Sequence, residues 1–173
     1  MIKVRAGMFE TNSSSTHAIC IHKQEELKFP PYIYFGLMDL GDSDCWCGIQ
    51  NRANYLHTIM YEICSRTDYI ALQTKITNLL KSYGIKVEWA KPKWGLDGYS
   101  PDYYDIKDSC AMVIINHIIP NDKLLLQYLF GENSRIVLGY DGVYEERIKE
   151  AKEKYPAGDE YLYYEGDYYD EYD

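Results

Sequence analysis

The chain has 173 residues, enough for one domain with its own core and too few for two. Its 18 Lys and Arg against 27 Asp and Glu give a net charge of −9, which argues against a binder of bare nucleic acid, whose affinity comes from cations set against phosphates. The apolar stretches Ile70–Leu80 and Ala111–Ile119 are too short or interrupted to span a bilayer, and Met1-Ile2-Lys3-Val4-Arg5 lacks a signal-peptide core, so a soluble, cytoplasmic protein without membrane contact is expected.

Ile2–Ala6 alternates apolar and basic residues and reads as a strand; the polar run from Glu10 to Thr16 is a loop long enough to pair it with a second strand over His17–His22. Pro30-Pro31 breaks the chain before a third, aromatic strand over Tyr32–Phe35, and Gly36–Gly48 follows as a loop. Asn51 is the expected cap of a helix carrying Tyr55, Leu56, Ile59, Met60 and Ile63 on one face. Thr67 is the expected cap of the next, which ends before Gly84. Ile85–Ala90 reads as a strand, and Lys91–Tyr104, punctuated by Pro and Gly, as a loop. The apolar run Cys110–Ile119 leans towards helix, Asn121 caps a short helix ending before Gly131, Ser134–Tyr140 is a strand, and Val143–Lys154 has a helical charge pattern. Strands first, helices in the middle and a late strand predict an α+β fold, a mixed sheet with helices packed on it, over residues 1–154.

The last 19 residues differ. Residues 155–173 hold seven acids, seven tyrosines and no Lys or Arg, so the remainder carries only −2. They read as an acidic, Tyr-rich tail, either a solvated stretch with no partner or a surface whose anions and aromatic faces imitate a phosphate backbone and suit a groove that normally holds DNA or RNA. The expected partner-binding residues are Asp159, Glu160, Tyr163, Tyr164, Glu165, Asp167, Tyr168, Asp170 and Glu171.

Five cysteines, an odd number without secretory context, argue against a disulfide framework. Cys45-Trp46-Cys47 on a glycine-bounded loop can supply two thiolates to zinc, which at a structural site takes four ligands. Cys45, Cys47, Cys110 and His17 are the expected set; His57, Cys64, Cys20 and His117 read as core residues. Ser13-Ser14-Ser15 beside His17 lacks the signature of an activated nucleophile, and no phosphate-cradling glycine motif is present, so no enzyme is expected.

Gly7-Met8-Phe9-Glu10-Thr11-Asn12-Ser13-Ser14-Ser15-Thr16-His17 resembles the opening of a family of small proteins from phages and mobile elements of Gram-positive bacteria. Tyr34-Phe35-Gly36 resembles that family's aromatic-proline-glycine turn, and Leu129-Phe130-Gly131-Glu132-Asn133-Ser134-Arg135-Ile136 its late loop and strand. The loop around Cys45 departs from the family's pattern, so a metal site there would be this chain's own. Some members resemble anti-CRISPR proteins. The resemblance therefore implies a non-enzymatic inhibitor of the RNA-guided effector nuclease of type II-A systems; the acidic tail adds the expectation of a DNA mimic acting by protein contact, without binding nucleic acid itself, and the Cys45–Cys47 loop that of structural zinc. The alternatives are a metal-dependent hydrolase using Glu10 and His17, and a phage structural or regulatory protein.

Overall fold

A computed structural model describes residues 16–23, 26–38, 45–96, 98, 109–139 and 161–165, with 146, 149–150 and 153–154. Along 16–17, 45–46, 109–110, 138–139 and 161–165 it describes the backbone alone. The fold is α+β, with elements in the order β1 (Thr16–His22), β2 (Tyr32–Phe35), β3 (Cys45–Trp46), α1 (Ile49–Ile63), α2 (Arg66–Ser82), β4 (Lys86–Trp89), α3 (Ser109–Val113), a π-helical turn (Ile114–Ile118), α4 (Asp122–Phe130), β5 (Arg135–Gly139) and β6 (Tyr161–Glu165).

The strands divide into two sheets by direction. One is four-stranded and antiparallel throughout, in the order β3-β5-β1-β6. The other is the parallel pair β2-β4, with α1 and α2 making the crossover that a parallel connection requires. Both edges of β1 are taken, by β5 over Thr16–Cys20 and by β6 over Ala18–His22. Nothing is left along Ala18–Cys20 for the expected pairing with Ile2–Ala6, a segment outside the described residues.

Within the segment 155–173, Tyr161–Glu165 is a sheet strand in register with Ala18–His22. Charge pattern marks solvated stretches, but the tyrosines and leucine of 161–165 also suit a pleated surface.

β1 is buried on both faces, since Ala18, Ile19, Cys20 and Ile21 are all inaccessible. Ile19 and Ile21 join Ile136 in the main core with α1, α4 and the apolar side of α2. α1 is buried round most of its circumference, from Arg52 and Ala53 through Tyr55–Tyr61. α4 is buried without a break from Leu124 to Phe130, whereas α2 is a surface helix burying Tyr69, Ile76 and Leu80.

Two caps differ from expectation. α1 starts at Ile49 behind an extended Gly48, without a side-chain cap, because the chain turns into the helix almost as soon as it leaves β3. Ser65 caps α2 in place of Thr67: its hydroxyl accepts from the Asp68 amide at 3.2 Å and donates to the Asp68 carboxylate at 2.7 Å. Asn121 does cap α4, accepting from the Leu124 amide at 3.1 Å. Gly84 ends α2 with φ of 76°, the left-handed conformation that favours glycine there.

Candidate functional site

Two short segments, Tyr34–Gly36 and Leu129–Ile136, are both held by polar side chains of α1. Gln50 donates its amide to the Tyr34 carbonyl and to Asn54 Oδ1, at 2.6 Å for the latter. Asn54 Oδ1 in turn accepts the Gly36 amide at 2.8 Å, and Thr58 Oγ1 accepts the Met38 amide at 3.0 Å. Helical spacing sets these residues along one face, so the helix reads the loop backbone one turn after another.

His57 completes that face. Its Nδ1 lies 3.1 Å from the Gly36 carbonyl and its Nε2 lies 2.6 Å from the Tyr69 hydroxyl. A carbonyl can only accept, so Nδ1 carries the proton and Nε2 accepts the Tyr69 O–H. Burial pushes the His57 pKa down to about 4, against the opposing pull of the Gly36 and Phe35 carbonyls. The same burial raises the Tyr69 phenol above its ordinary range. Trp89 meets the imidazole edge-on at 5.1 Å and stacks on Phe35 at 4.0 Å. His57 is inaccessible to solvent and Tyr69 nearly so, which makes the pair a structural device rather than an acid-base centre.

The second segment is held by Arg52, a residue that sequence reasoning overlooked. Its guanidinium is 1% exposed and donates to the carbonyls of Cys47 at 2.5 Å, Leu129 at 2.8 Å and Gly131 at 3.1 Å, and also to that of Ser134. Leu129 and Gly131 stand at the C-terminus of α4, the negative end of its dipole, which suits a cation. Tyr128 donates to the Arg52 carbonyl at 3.0 Å. Ser134 donates to the Gln127 carbonyl and accepts the His22 amide, both at 2.8 Å, tying α4 to the end of β1. Gly131 is required by space here: an added Cβ would lie 2.5 Å from the Gln127 carbonyl and from Ser134 Oγ. The surrounding Gln50, Asn51 and Asn54 gave no signal of burial, and three of its four carbonyl partners lie 77 to 82 positions away.

The expected metal ligands are spread along the sheet. Cys45 is on β3 opposite Val137, and Cys47 follows it, exposed. His17 is on β1 opposite Leu138, so β5 lies between the strands of the two residues. Cys110 is on α3, which packs against β1 and β6 at the far side of the sheet from β3. The side chains of Cys45, His17 and Cys110 lie outside the described residues. Among the described residues, no group of three His, Cys, Asp or Glu gathers round a point where a metal could sit. Cys20, Cys64 and His57 are buried as expected, with burial pushing the Cys64 thiol up to about 11. His117 is exposed on the π-helical turn, where the neighbouring Ile114 and Ile118 take the core side.

Of the expected partner-binding residues, Tyr163, Tyr164 and Glu165 lie on β6, opposite Cys20, Ile19 and Ala18. Asp159, Glu160, Asp167, Tyr168, Asp170 and Glu171 lie outside the described residues, as do Glu10 and the serine run. Among the described residues, no helix is long and apolar enough to cross a membrane. No family model matches this chain, nor does any curated protein or solved structure.

Proposed function

We propose that the protein is a non-enzymatic inhibitor of the RNA-guided effector nuclease of type II-A CRISPR systems, acting in the bacterial cytoplasm. Its acidic, tyrosine-rich C-terminal segment faces the cationic channel through which DNA is loaded. The supporting observation is the pairing of Tyr161–Glu165 with β1. Five residues of the segment are thereby part of the sheet, and the acids Asp167, Asp170, Glu171 and Asp173 follow them in the sequence. Closely spaced acids are steered by the opposite charge of a nucleic-acid channel and compete with its ligand for it.

The test is inhibition of DNA cleavage by the guide-loaded nuclease, comparing the natural chain with one carrying Asp167→Asn, Asp170→Asn, Glu171→Gln and Asp173→Asn. Inhibition by the natural chain and a loss of about tenfold in potency by the variant, or 1.4 kcal/mol of binding, is the expected result. Equal inhibition would put the contact elsewhere, and no inhibition by the natural chain would end the reading. Hydrolytic turnover that depends on an added metal and is lost in Glu10→Gln would favour the enzyme alternative. We keep zinc in the proposal as a staple of the loop, with Cys45 and Cys47, on and just after the edge strand β3, as two of its ligands. One equivalent of zinc by emission spectrometry, lost in Cys45→Ser with Cys47→Ser, is the expected outcome.

A further inference from the structure

The outer side of the β2-β4 pair carries a patch that the proposed function leaves unused. Tyr32 and Tyr34 alternate with the buried Ile33 and Phe35, and Lys86 and Glu88 lie opposite them on β4. Tyr32 is 42% exposed and Tyr83 is 47% exposed. Phe29 bridges the surface, its ring 4.8 Å from Tyr83. Lys86 reaches over the Tyr32 ring at 5.8 Å, while Lys28 precedes Phe29 and Lys81 stands one turn before the Tyr83 bend. Lys28, Lys81 and Lys86 are exposed, and none is in an ion pair among the described residues. The stretch around Lys81 and Lys86 is unusually cationic: residues 66–96 hold six Lys or Arg against two acids, in a chain of net −9.

Unpaired ammonium groups set among aromatic faces suit a flexible anionic polymer with rings of its own. Two classes meet that description, single-stranded nucleic acid and an acidic, tyrosine-rich peptide. Either must approach a molecule of net −9, but nucleic acid carries a charge on every phosphate and is opposed more strongly than a segment with seven acids in 19 residues. The peptide is present in the chain itself, as residues 155–173 with seven acids and seven tyrosines. We propose that the face formed by Lys28, Phe29, Tyr32, Lys81, Tyr83 and Lys86 binds the acidic C-terminal segment of a second copy of this chain. The contact is heterologous, face to segment, and holds that segment away from other partners. It requires only the charge and composition of the segment and stands apart from the nuclease reading.

Sedimentation velocity of the full chain tests it. The natural chain is expected to self-associate with rising concentration at about 0.1 M salt and to dissociate at about 1 M, where the screening length falls from about 10 Å to about 3 Å. A face variant, Lys28→Glu with Lys81→Glu and Lys86→Glu, and a segment variant, Asp167→Asn with Asp170→Asn, Glu171→Gln and Asp173→Asn, are each expected to be monomeric with unchanged melting. Mixed in equal amounts they should form a one-to-one dimer, since one supplies the face and the other the segment. A monomeric natural chain at low salt, as a segment folded back within one molecule would give, overturns the proposal. So does undiminished association of the face variant. Binding of oligothymidine to the natural chain, lost in the face variant and unaccompanied by self-association, overturns it in favour of nucleic acid. A segment variant that loses nuclease inhibition while the natural chain stays monomeric sinks this inference alone.

Discussion

Arg52 and His57 stand little more than one turn apart on the same buried helix, and they meet the same problem in opposite ways. Each can carry a positive charge that water would have solvated. Arg52 keeps its charge, because four backbone carbonyls, two of them at the negative end of α4, replace the lost water. His57 gives its charge up: one carbonyl and one phenol satisfy the neutral ring, and burial drives its pKa to about 4. The difference follows from intrinsic basicity. A guanidinium cannot be deprotonated in this range, so its surroundings must supply acceptors, whereas an imidazole loses its proton more cheaply than it gathers four carbonyls.

The sharpest way to break the comparison is to remove the charge that was kept. Arg52→Ala leaves the carbonyls of Cys47, Leu129, Gly131 and Ser134 without this donor at once, and should lower unfolding stability by roughly 3–5 kcal/mol in a urea titration. Arg52→Lys should recover only part of that, since an ammonium lacks the planar fork.

The charge that was given up is tested by acid. Above pH 6.5 the imidazole is neutral in both folded and unfolded chains and contributes no pH dependence. Between 6.5 and about 4 the unfolded chain binds a proton that the folded chain refuses, so stability falls as pH falls, by roughly 3 kcal/mol across that window. Below about 4 both states are protonated and this contribution levels off. Subtracting the pH profile of His57→Gln from that of the natural chain isolates the effect; matching profiles would show that the ring is already charged in the fold.

Two smaller changes probe what surrounds each group. Gly131→Ala forces a methyl against the Gln127 carbonyl and Ser134 Oγ beside Arg52, and should cost about 1–3 kcal/mol, read as a shift in urea midpoint without a change in slope. Ser65→Ala removes the cap of the helix that brings Tyr69 to His57, and should cost about 1 kcal/mol, with Ser65→Asp restoring most of it.

Much of the scaffold was legible in the residues. The strands at 16–22, 32–35, 86–89 and 135–139 and the helices on either side of residue 65 follow from apolar periodicity, because side-chain spacing of two or of 3.6 decides which local structure can bury one face. Asn121 and Gly84 were readable as helix ends for similarly local reasons. Cap positions were not: at Gly48 no side chain caps the helix, and at Ser65 the capping hydroxyl stands two residues before the equally eligible Thr67. The candidate site was less legible. Arg52 drew no reading, because its acceptors are backbone carbonyls, which every sequence contains and none advertises. His117 looked buried among isoleucines, yet the π-helical turn puts Ile114 and Ile118 inward and leaves it at the surface.

The charge division shows where the two kinds of information part. Sequence alone determines that residues 155–173 hold seven negative charges while the rest of the chain carries only −2, because charge is a property of composition. Whether such a stretch joins the fold depends on a partner strand. β1 offers its second edge to Tyr161–Glu165, and backbone hydrogen bonding to a strand more than a hundred residues away has no local signature. Only the tertiary structure could decide that Tyr161–Glu165 pairs with β1, and that Lys86 reaches over the exposed Tyr32 ring while Phe29 meets Tyr83.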